Sequence, residues 1–499
     1  MHVSEGPNSV FKEHDWGCSM GVERQQGSGR QQDFFDEALK ASLRHGVTGK
    51  GGTGAGTHEE RQSPAARSEK LALAYDVMEQ VASSANLNQA YKRVKANKGA
   101  PGVDGMTVDD LRGWIADNRE RLIVSLLDGS YRPQPVRGVE IPKPGGKGMR
   151  QICIPTVVDR LVQQAILQVL EPLLDPTFSA SSYGFRPGRS AHDALRQARE
   201  YVSEGYWIVA DLDLEKFFDR VNHDIALSRL ARHVGDKRLL GIIRRFLQAG
   251  MLSNGVFVER QEGAVQGGPL SPLIANLILD DLDKELERRG HRFCRYADDC
   301  NIYVRSQAAG ERVMASVSAF LEGKLRLRVN QDKSAVAPVR KRKFLGHRLL
   351  PGGRLGIAPE SLARMKGHLR QLTRRNRGIS LASMVAQVNA FTTGWVTYYR
   401  YAQARVTLRT LDKWLRRKIR CVRLKQCKRV MTVATFLQKE GVPEWRAWIL
   451  ALSGKGWWRM AGSPQAAEAM TNAWFERQGL ISLAAHHNWL NKTGNRLGT

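Results

Sequence analysis

The sequence predicts an α+β fold that is followed by an all-helical region. Between about residue 70 and Pro359, runs of alternating apolar and polar residues, which are typical of strands, are interspersed with runs that repeat every three or four residues, which are typical of helices. Beyond Pro359 only the helical pattern continues. With 499 residues and 42% apolar content, the chain can bury more than one core, and we expect roughly two to four globular units.

The composition excludes several classes of protein. No stretch approaches the roughly 18 uninterrupted apolar residues of a membrane span, and the first residues lack the apolar segment of a secretory signal. The six cysteines include no Cys-x-x-Cys pair, so neither a disulfide framework nor a structural zinc site is indicated. We therefore expect a bacterial cytoplasmic protein with no membrane partner.

The first elements follow a segment of unusual composition. Residues 1–67 are rich in Gly, Gln, Ser and Arg, and we expect them to be a disordered leader. Helical spacing begins near Leu71, and a turn-rich loop runs from Asn97 to Gly105. The segment from Ile141 to Arg150 contains a Pro-Gly-Gly turn between two short apolar runs, which predicts a basic β-hairpin.

A long helix is predicted after this hairpin. Thr156 can cap its first turn, and Asp159, three residues later, completes a capping box. Apolar residues then recur at helical spacing as far as Leu173. Pro172 and Pro176 mark the expected end of the helix.

Two acidic segments are the most informative part of the sequence. Trp207 to Leu214 is an apolar run that ends in alternating acids, and strand geometry puts Asp211 and Asp213 on one face. Asp298 and Asp299 lie at the tip of a second apolar hairpin. Such paired carboxylates repel each other unless a cation, most simply a divalent metal, lies between them. We expect the two strands to be neighbours, an arrangement suited to two-metal nucleotidyl transfer.

The region between these acidic segments is predicted to be mixed. A helical stretch is expected from Ile225 to Ala249, and short strand-like pieces follow around Val256 to Val258. The loop from Gln266 to Pro272 then leads into another helix. Ser271 is the predicted N-cap of that helix, and Pro272 is its predicted first residue.

Positive charge is concentrated in the predicted helical region. The net charge is +28, and residues 340–430 hold 24 Lys and Arg against only Glu360 and Asp412. A solvated basic surface is the ordinary explanation of such a run. A run this one-sided, interleaved with aromatic residues such as Trp395 and Tyr399, instead favours a nucleic-acid partner. Residues 441–499 then hold six of the eleven tryptophans.

Three boxes of this sequence resemble those of reverse transcriptases, and their order resembles the group II intron-encoded reverse transcriptase/maturases. Tyr296-Ala297-Asp298-Asp299 is similar to the Y-x-D-D box, and Asp213 to Asp219 is similar to the D-x-x-x-[FYC]-F-D strand. Gln266 to Pro272 is similar to the Q-G-x-P-L-S-P loop. The resemblance covers roughly residues 70 to 499.

This resemblance implies a domain organisation. Residues 68–355 would form the fingers and palm of a right-hand polymerase, with an antiparallel palm sheet. Residues 356–440 would form an all-α thumb/maturase domain that grips structured intron RNA. Residues 441–499 would be a small C-terminal module in the place of the family's DNA-binding region. No cysteine follows Cys427, so we expect no zinc-bound H-N-H endonuclease.

The resemblance also implies metal ligands. Asp213 and Asp298 would be the principal ligands of two Mg²⁺ ions, Asp299 would complete the acidic cluster, and the Leu214 carbonyl would be a further ligand. One ion would activate the primer 3′-hydroxyl and the other would neutralise charge on the pyrophosphate. Asp211 lies outside the matched box, so we expect it to be structural or solvent-facing.

Contacts to the incoming nucleotide follow from the same resemblance. Phe218 would lie beneath the sugar and exclude a 2′-hydroxyl, and Gln266 would line the nucleotide pocket. Lys143 and Arg150 would bind phosphates, and Lys333 would protonate pyrophosphate. From the residues alone, a phenylalanine placed like Phe218 is more often a core residue, and cations placed like Lys143 and Arg150 usually just keep a hairpin soluble.

The function implied is an RNA-directed DNA polymerase that helps its intron RNA to splice and to move to a DNA target. Its substrates would be deoxynucleoside triphosphates and a primer-template. A maturase that splices without polymerising is disfavoured, because the three acids, Lys143, Arg150 and Gln266 are all present. A reverse transcriptase of a defence or diversity-generating system is disfavoured by the maturase-like region from about 360 to 440.

Overall fold

The computed structural model describes residues 76–142, 148–253 and 255–494. The predicted leader and Lys143 lie outside these residues. The described chain divides into two compact units. The sheet unit comprises residues 76–194 and 208–337, and the helical unit comprises residues 195–207 and 338–494. None of the described helices is both long and apolar enough to cross a bilayer.

The strands form three sheets within the described ranges. In chain order they are β1 (Val136–Pro142), β2 (Met149–Ile154), β3 (Ile208–Leu212), β4 (Met251–Ser253), β5 (Val256–Val258), β6 (Arg292–Tyr296), β7 (Asp299–Val304), β8 (Ala335–Pro338), β9 (His347–Leu350) and β10 (Arg354–Ile357). The sheet orders are β2-β1-β4-β5, β6-β7-β3-β8 and β10-β9. Strand β1 is antiparallel to β2 and parallel to β4.

Helices fill the rest of both units. Those up to residue 320 are α1 (Val77–Ala82), α2 (Ser84–Asn97), α3 (Leu111–Leu127), α4 (Val157–Leu174), α5 (Ala191–Ser203), α6 (His223–Leu230), α7 (Lys237–Gln248), α8 (Ser271–Arg288) and α9 (Gln307–Phe320). The later ones are α10 (Pro359–Leu372), α11 (Leu381–Tyr398), α12 (Arg405–Gln426), α13 (Val430–Lys439), α14 (Glu444–Ala451), α15 (Trp457–Met460), α16 (Pro464–Ala469), α17 (Asn472–Arg477) and α18 (Leu483–Gly494).

The predicted fold class is confirmed. Strand β7 is antiparallel to both β6 and β3, as expected for the sheet that carries the acidic segments. The predicted hairpin is also present, with Ile141 opposite Arg150 and Pro142 opposite Met149. From α10 onwards every described element is helical.

Three local predictions were wrong in detail. Helix α4 ends at Leu174, between Pro172 and Pro176 as predicted, but Leu173 is 42% exposed, because the last turn buries Leu170 and Leu174 and turns Leu173 towards solvent. The stretch from Ile225 to Ala249 is two helices, since the Asp236 carboxylate accepts hydrogen bonds from the first N–H groups of α7 and starts a new helix.

The third concerns the start of α8. Leu270 occupies the N-cap position and Ser271 is the first helical residue. The Ser271 hydroxyl donates a hydrogen bond to the Val265 carbonyl instead of accepting one from the helix. Its side chain therefore closes the preceding loop rather than capping α8.

Each unit has its own apolar core. The core of the sheet unit includes Leu161, Ala210 and Ile302, which are fully buried. In the helical unit the apolar residues that repeat at helical spacing along α12 are buried, namely Leu408, Leu411, Leu415, Ile419 and Val422. The same core continues past residue 441 through Leu450 and Trp474. The boundary between a thumb/maturase domain and a separate C-terminal module stays a prediction.

Candidate active site

Strand register places the predicted acids at one end of the β6-β7-β3-β8 sheet. Leu212, the last residue of β3, pairs with Cys300 of β7. Asp213 and Asp299 come next along this antiparallel register and so lie opposite each other. Asp298 occupies the turn between Tyr296 and Asp299, which pair across the β6–β7 hairpin. In that turn Ala297 has a left-handed backbone, with φ +59°.

The backbone of Asp213 is held by the turn that directly precedes β8, the strand next to β3. The Asp213 N–H donates to the Ser334 hydroxyl at 3.0 Å, and the same hydroxyl lies 3.3 Å from the Asp213 carbonyl. The Asn330 N–H donates to that carbonyl at 2.8 Å. The turn from Asn330 to Ser334 therefore fixes the position at which β3 ends.

Lys333 is carried to the site by this turn. Its Nζ lies 3.3 Å from Oδ1 and 3.5 Å from Oδ2 of Asp213. Both side chains remain accessible, with 64% of Lys333 and 41% of Asp213 exposed. A cation thus already faces the first carboxylate of the predicted cluster.

The electrostatic surroundings of Asp298 combine both signs of charge. Although the residue is exposed, the protein around its carboxylate displaces enough water to raise its pKa, and the negative charge of Asp213 raises it further. A hydrogen bond from its own backbone, and then the charges of Arg150 and Lys333, lower the pKa of Asp298 in part. The structure therefore brings Asp213, Asp298, Arg150 and Lys333 within electrostatic range of one another.

Two of the predicted nucleotide contacts meet directly. The Arg150 Nε on β2 donates to the Gln266 Oε1 at 3.1 Å. Gln266 is held against the same strand, because its carbonyl accepts the Cys153 N–H at 3.0 Å. The loop that begins at Gln266 is thus docked on β2, and the hairpin arginine and the loop glutamine share one polar surface.

Glycines make this docking possible. Gly267 has φ +126°, and a Cβ there would lie 2.6 Å from the Cys153 carbonyl oxygen. A Cβ at Gly268 would lie 2.5 Å from the Gln163 Oε1, the end of a side chain. Only the first of these contacts is with backbone, so Gly267 is the stricter requirement.

Phe218 and Leu214 occupy mixed environments. Phe218 is half-buried, with its ring edge-on to the buried Phe217 at 5.2 Å between centroids, and its carbonyl accepts the Ala264 N–H at 2.6 Å. The side chain of Leu214 is buried. The two backbone hydrogen bonds that link its segment to Arg328 and Asn330 do not use the Leu214 carbonyl. Asp211 is buried, as expected for a structural residue.

The donor set suits a hard cation that also binds substrate. Within the described ranges, no three His, Cys, Asp or Glu side chains are spaced to hold a metal ion by themselves. Mg²⁺ usually takes only one or two carboxylates and completes its shell with water and substrate phosphates. Asp213 and Asp298 offer such carboxylates, and the Lys333 ammonium beside Asp213 shows that one of them already pairs with a cation. The assignment of individual ligands stays a prediction.

Sequence reasoning missed the residues beneath the β6–β7 turn. Arg295 on β6 is fully buried and bonded to Asp283 and Asn276 of α8. A signal was available, because Asn276 and Asp283 lie seven residues apart on the apolar face of a helix. Polar residues in such a stripe need partners, and an arginine in an apolar strand is one.

The helical unit exposes a basic surface. Arg405, Arg409 and Lys413 follow one another at four-residue spacing on α12, and all three are exposed. Farther along this helix the Arg417 guanidinium lies 4.3 Å from the ring centre of Trp458, which is 40% exposed. Asp412, the one acid of α12, is buried and does not offset this surface.

Comparison with known proteins matches two consecutive parts of the chain to two different families. Residues 141–349 match the family "Reverse transcriptase (RNA-dependent DNA polymerase)", and residues 362–441 match "Group II intron, maturase-specific domain". The first match includes β2, β3, the loop at Gln266 and the β6–β7 turn. The second covers α11 and α12.

Individual relatives point the same way. The chain is 33% identical over 306 residues to Protein YkfC of Escherichia coli K12, which covers 53% of this chain and 80% of YkfC. It is 38% identical over 195 residues to the group II intron-encoded protein LtrA of Lactococcus lactis subsp. cremoris, which covers 39% of this chain and 32% of LtrA. Among solved structures, it is similar to a "Partial Cas6-RT-Cas1–Cas2 complex", with 27% identity, a TM-score of 0.34, and coverage of 49% of this chain and 42% of the other. The chain belongs to the family of group II intron-encoded reverse transcriptases and maturases.

Proposed function

We propose that this protein adds deoxynucleotides to a primer on an RNA template at the site where Asp213, Asp298 and Asp299 meet, and that its helical unit binds the intron RNA. The observation that carries the proposal is the strand register, which sets Asp213 beside the Asp298–Asp299 turn. Arg150 and Lys333 add positive charge near Asp298, and Gln266 is hydrogen-bonded to Arg150, which supports a role for these residues in binding a triphosphate.

The triphosphate would be bound by the polar surface of β2 and its docked loop. Arg150 is a guanidinium donor near Asp298, and it would exchange its bond to Gln266 for bonds to phosphate oxygens. Lys143, which lies outside the described residues, would add a second cation. Gln266 would then be free to contact the nucleotide, and the half-buried Phe218 would limit the space at its sugar.

A divalent cation fits this donor set. Two Mg²⁺ ions held by Asp213 and Asp298, with Asp299 and the Leu214 carbonyl as further ligands, would polarise the primer 3′-hydroxyl and neutralise charge on the leaving pyrophosphate. Lys333 starts as the partner of Asp213 and is exposed, so its ammonium can turn towards the pyrophosphate and donate a proton there.

The helical unit supplies the affinity for RNA. Its exposed cations on α12 would neutralise phosphates of the intron RNA. Tryptophans with accessible faces, such as Trp445 and Trp489, would contact an unpaired strand, and the DNA target is the partner we assign to this later part of the unit. The protein would assist splicing by holding the folded intron RNA. It would support movement of the intron by copying that RNA into DNA.

The test compares Asp298→Asn with the wild type on a primed RNA template with Mg²⁺ and deoxynucleoside triphosphates. We expect synthesis to fall by roughly 100-fold or more, because the substitution removes charge that is needed at the reacting phosphate. Salt-sensitive binding of intron RNA should remain, since the helical unit is untouched. Asp332→Asn is the matched control, because it removes an exposed acid next to Lys333 that we assign to no ligand set.

The same experiment separates the rival functions. A wild type that binds and splices intron RNA but incorporates no deoxynucleotide would support a maturase without polymerase activity. Wild-type synthesis by Asp298→Asn would overturn the assignment of the site. Loss of synthesis, RNA binding and thermal stability together would mean that the substitution unfolds the protein, and Asp298→Glu would then serve as the second variant.

A further inference from the structure

A buried arginine lies directly beneath the turn that carries Asp298. Arg295 on β6 and Asp283 on α8 are both fully buried. The Arg295 Nε and Nη2 donate to the two carboxylate oxygens of Asp283 at 2.8 and 2.6 Å. This pair is therefore a bidentate, charge-assisted contact without access to water.

The rest of the guanidinium is aimed at the turn and at its neighbours. Its Nη1 donates to the Ala297 carbonyl at 2.9 Å and to the Asn276 Oδ1 at 2.9 Å. Its Nη2 also donates to the Ser182 hydroxyl at 2.7 Å. Ala297 is the left-handed residue of the turn, and its carbonyl belongs to the peptide that continues into Asp298.

A second contact closes on the same turn from Gly184. A Cβ on Gly184 would lie 2.2 Å from the Ala297 nitrogen and 2.8 Å from the Tyr296 carbonyl carbon, so the two backbones are packed face to face. The Gly184 carbonyl in turn accepts the Asn276 Nδ2 at 2.9 Å. Asn276 thus joins the arginine and the glycine into one buried network.

Stability alone does not account for this network. Replacing a buried ion pair with apolar side chains of similar volume is often neutral or stabilising, so a core gains little from such a pair. What the network does provide is a fixed position for a non-glycine residue in a left-handed conformation, which is costly unless its surroundings impose it. The residue that the network holds in this left-handed conformation is Ala297, the neighbour of Asp298.

We propose that Arg295, oriented by Asp283 and Asn276, is a positioning residue that locks the Ala297–Asp298 peptide and so fixes where the Asp298 carboxylate stands. This inference rests on the proposed function of Asp298. Gly184 completes the lock from the other side of the turn.

The first experiment removes the pair without leaving a buried charge. We expect the double variant Arg295→Met/Asp283→Leu to fold and to bind intron RNA as the wild type does. DNA synthesis should fall by roughly 10- to 100-fold, the usual effect of removing an outer-shell partner, and half-maximal synthesis should require more Mg²⁺. Without Mg²⁺ or substrate, hydrogen exchange of residues 296–299 should accelerate.

The matched control is Arg229→Met/Asp281→Leu. That pair joins α6 to α8 at 2.6 Å, and the other hydrogen bonds of its two side chains are with Ser228 and Arg232 rather than with the turn. It should leave synthesis, Mg²⁺ requirement and exchange at 296–299 unchanged. Equal losses in both double variants would overturn the proposal, because any broken pair would then suffice.

Arg295→Lys separates charge from geometry. Lysine can retain the ion pair with Asp283, but its single ammonium cannot also reach the Ala297 carbonyl with the fork of a guanidinium. We expect it to show the raised Mg²⁺ requirement and the faster exchange at 296–299. Wild-type behaviour in both measurements would overturn the positioning role.

Gly184→Ala tests the lock from its other side. Its added methyl must displace the turn, and Gly113→Ala on α3 is the control, because a Cβ there meets nothing within 4 Å.

If the wild type itself incorporates no deoxynucleotide, the proposed function fails. If the wild type is active and Arg295→Met/Asp283→Leu matches it in rate, Mg²⁺ requirement and exchange, only the positioning inference fails.

Discussion

Hydrogen bonds to the Asp213 main chain, rather than the ion pair itself, keep Lys333 close to Asp213. Both side chains are largely accessible, and exposed pairs of this kind contribute about 1 kcal/mol or less. The lysine is nevertheless held nearby, because Asn330 and Ser334 in its own turn hydrogen-bond the Asp213 main chain. Its ammonium can therefore leave the carboxylate at little cost when a better anion arrives.

Two neighbouring glycines should differ sharply when replaced. Gly267→Ala places a methyl against the Cys153 carbonyl and forces alanine into φ +126°, whereas Gly268→Ala meets only the end of Gln163. We expect the first to destabilise the protein by about 2 kcal/mol or more and to raise the KM for deoxynucleotides, because it displaces Gln266. The second should have the smaller effect on both. Thermal unfolding and steady-state incorporation would measure this, and equal effects would contradict the docking of the loop on β2.

At the scale of elements, Asp412 is an acid of the basic helix α12 that joins this helix to α18. The Asp412 carboxylate accepts the N–H groups of Leu483 and Ala484 at 2.9 and 3.1 Å and the Ser482 hydroxyl at 2.8 Å. The N–H groups of Leu483 and Ala484 are the first backbone donors of α18, and a helix cannot satisfy these donors by itself. Asp412 is buried, so its charge serves the fold and is not part of the basic surface.

Asp412→Ala should therefore destabilise the helical unit. We expect a loss of about 2 to 3 kcal/mol in the free energy of unfolding, because three donors lose a charged acceptor inside the protein. Glu360→Gln is the control, since it removes the other acid of the basic segment from an exposed position in the first turn of α10. Denaturant unfolding of both variants would measure the difference. A cost for Glu360→Gln as large as that for Asp412→Ala would contradict the capping role.

The elements that could be predicted are those that periodicity alone determines. The stripe from Leu408 to Val422 and the hairpin around Arg150 follow from spacing, and the acids of β3 and β7 indicated neighbouring strands because paired charge needs a shared partner. Leu173 and Ser271 were misjudged, because the face of the last helical turn that is covered and the bond from the serine hydroxyl to its own loop both depend on tertiary structure. The network of Arg295 is also tertiary, since Asn276 and Asp283 reach it from the preceding helix and Ser182 reaches it from 113 residues away.

For the molecule as a whole, charge separates two tasks. Of the net charge of +28, residues 340–430 contribute all but a small part, with 24 Lys and Arg against two acids. These residues belong to the helical unit, whereas the predicted acids of the active site belong to the sheet unit. Affinity for a polyanion and the chemistry performed on it are therefore assigned to different parts of the chain.

Salt dependence can locate the RNA-binding surface. Replacing Arg405, Arg409 and Lys413 with glutamine removes three exposed charges from one face of α12. We expect the plot of log Kd for intron RNA against log salt concentration to become shallower by roughly 2 to 3, because each phosphate contact releases somewhat less than one counterion. The control replaces three exposed cations of the sheet unit, Arg112, Arg288 and Lys324, and should leave the slope nearly unchanged. A larger change in the control than in the α12 variant would place the RNA on the sheet unit and contradict the assignment.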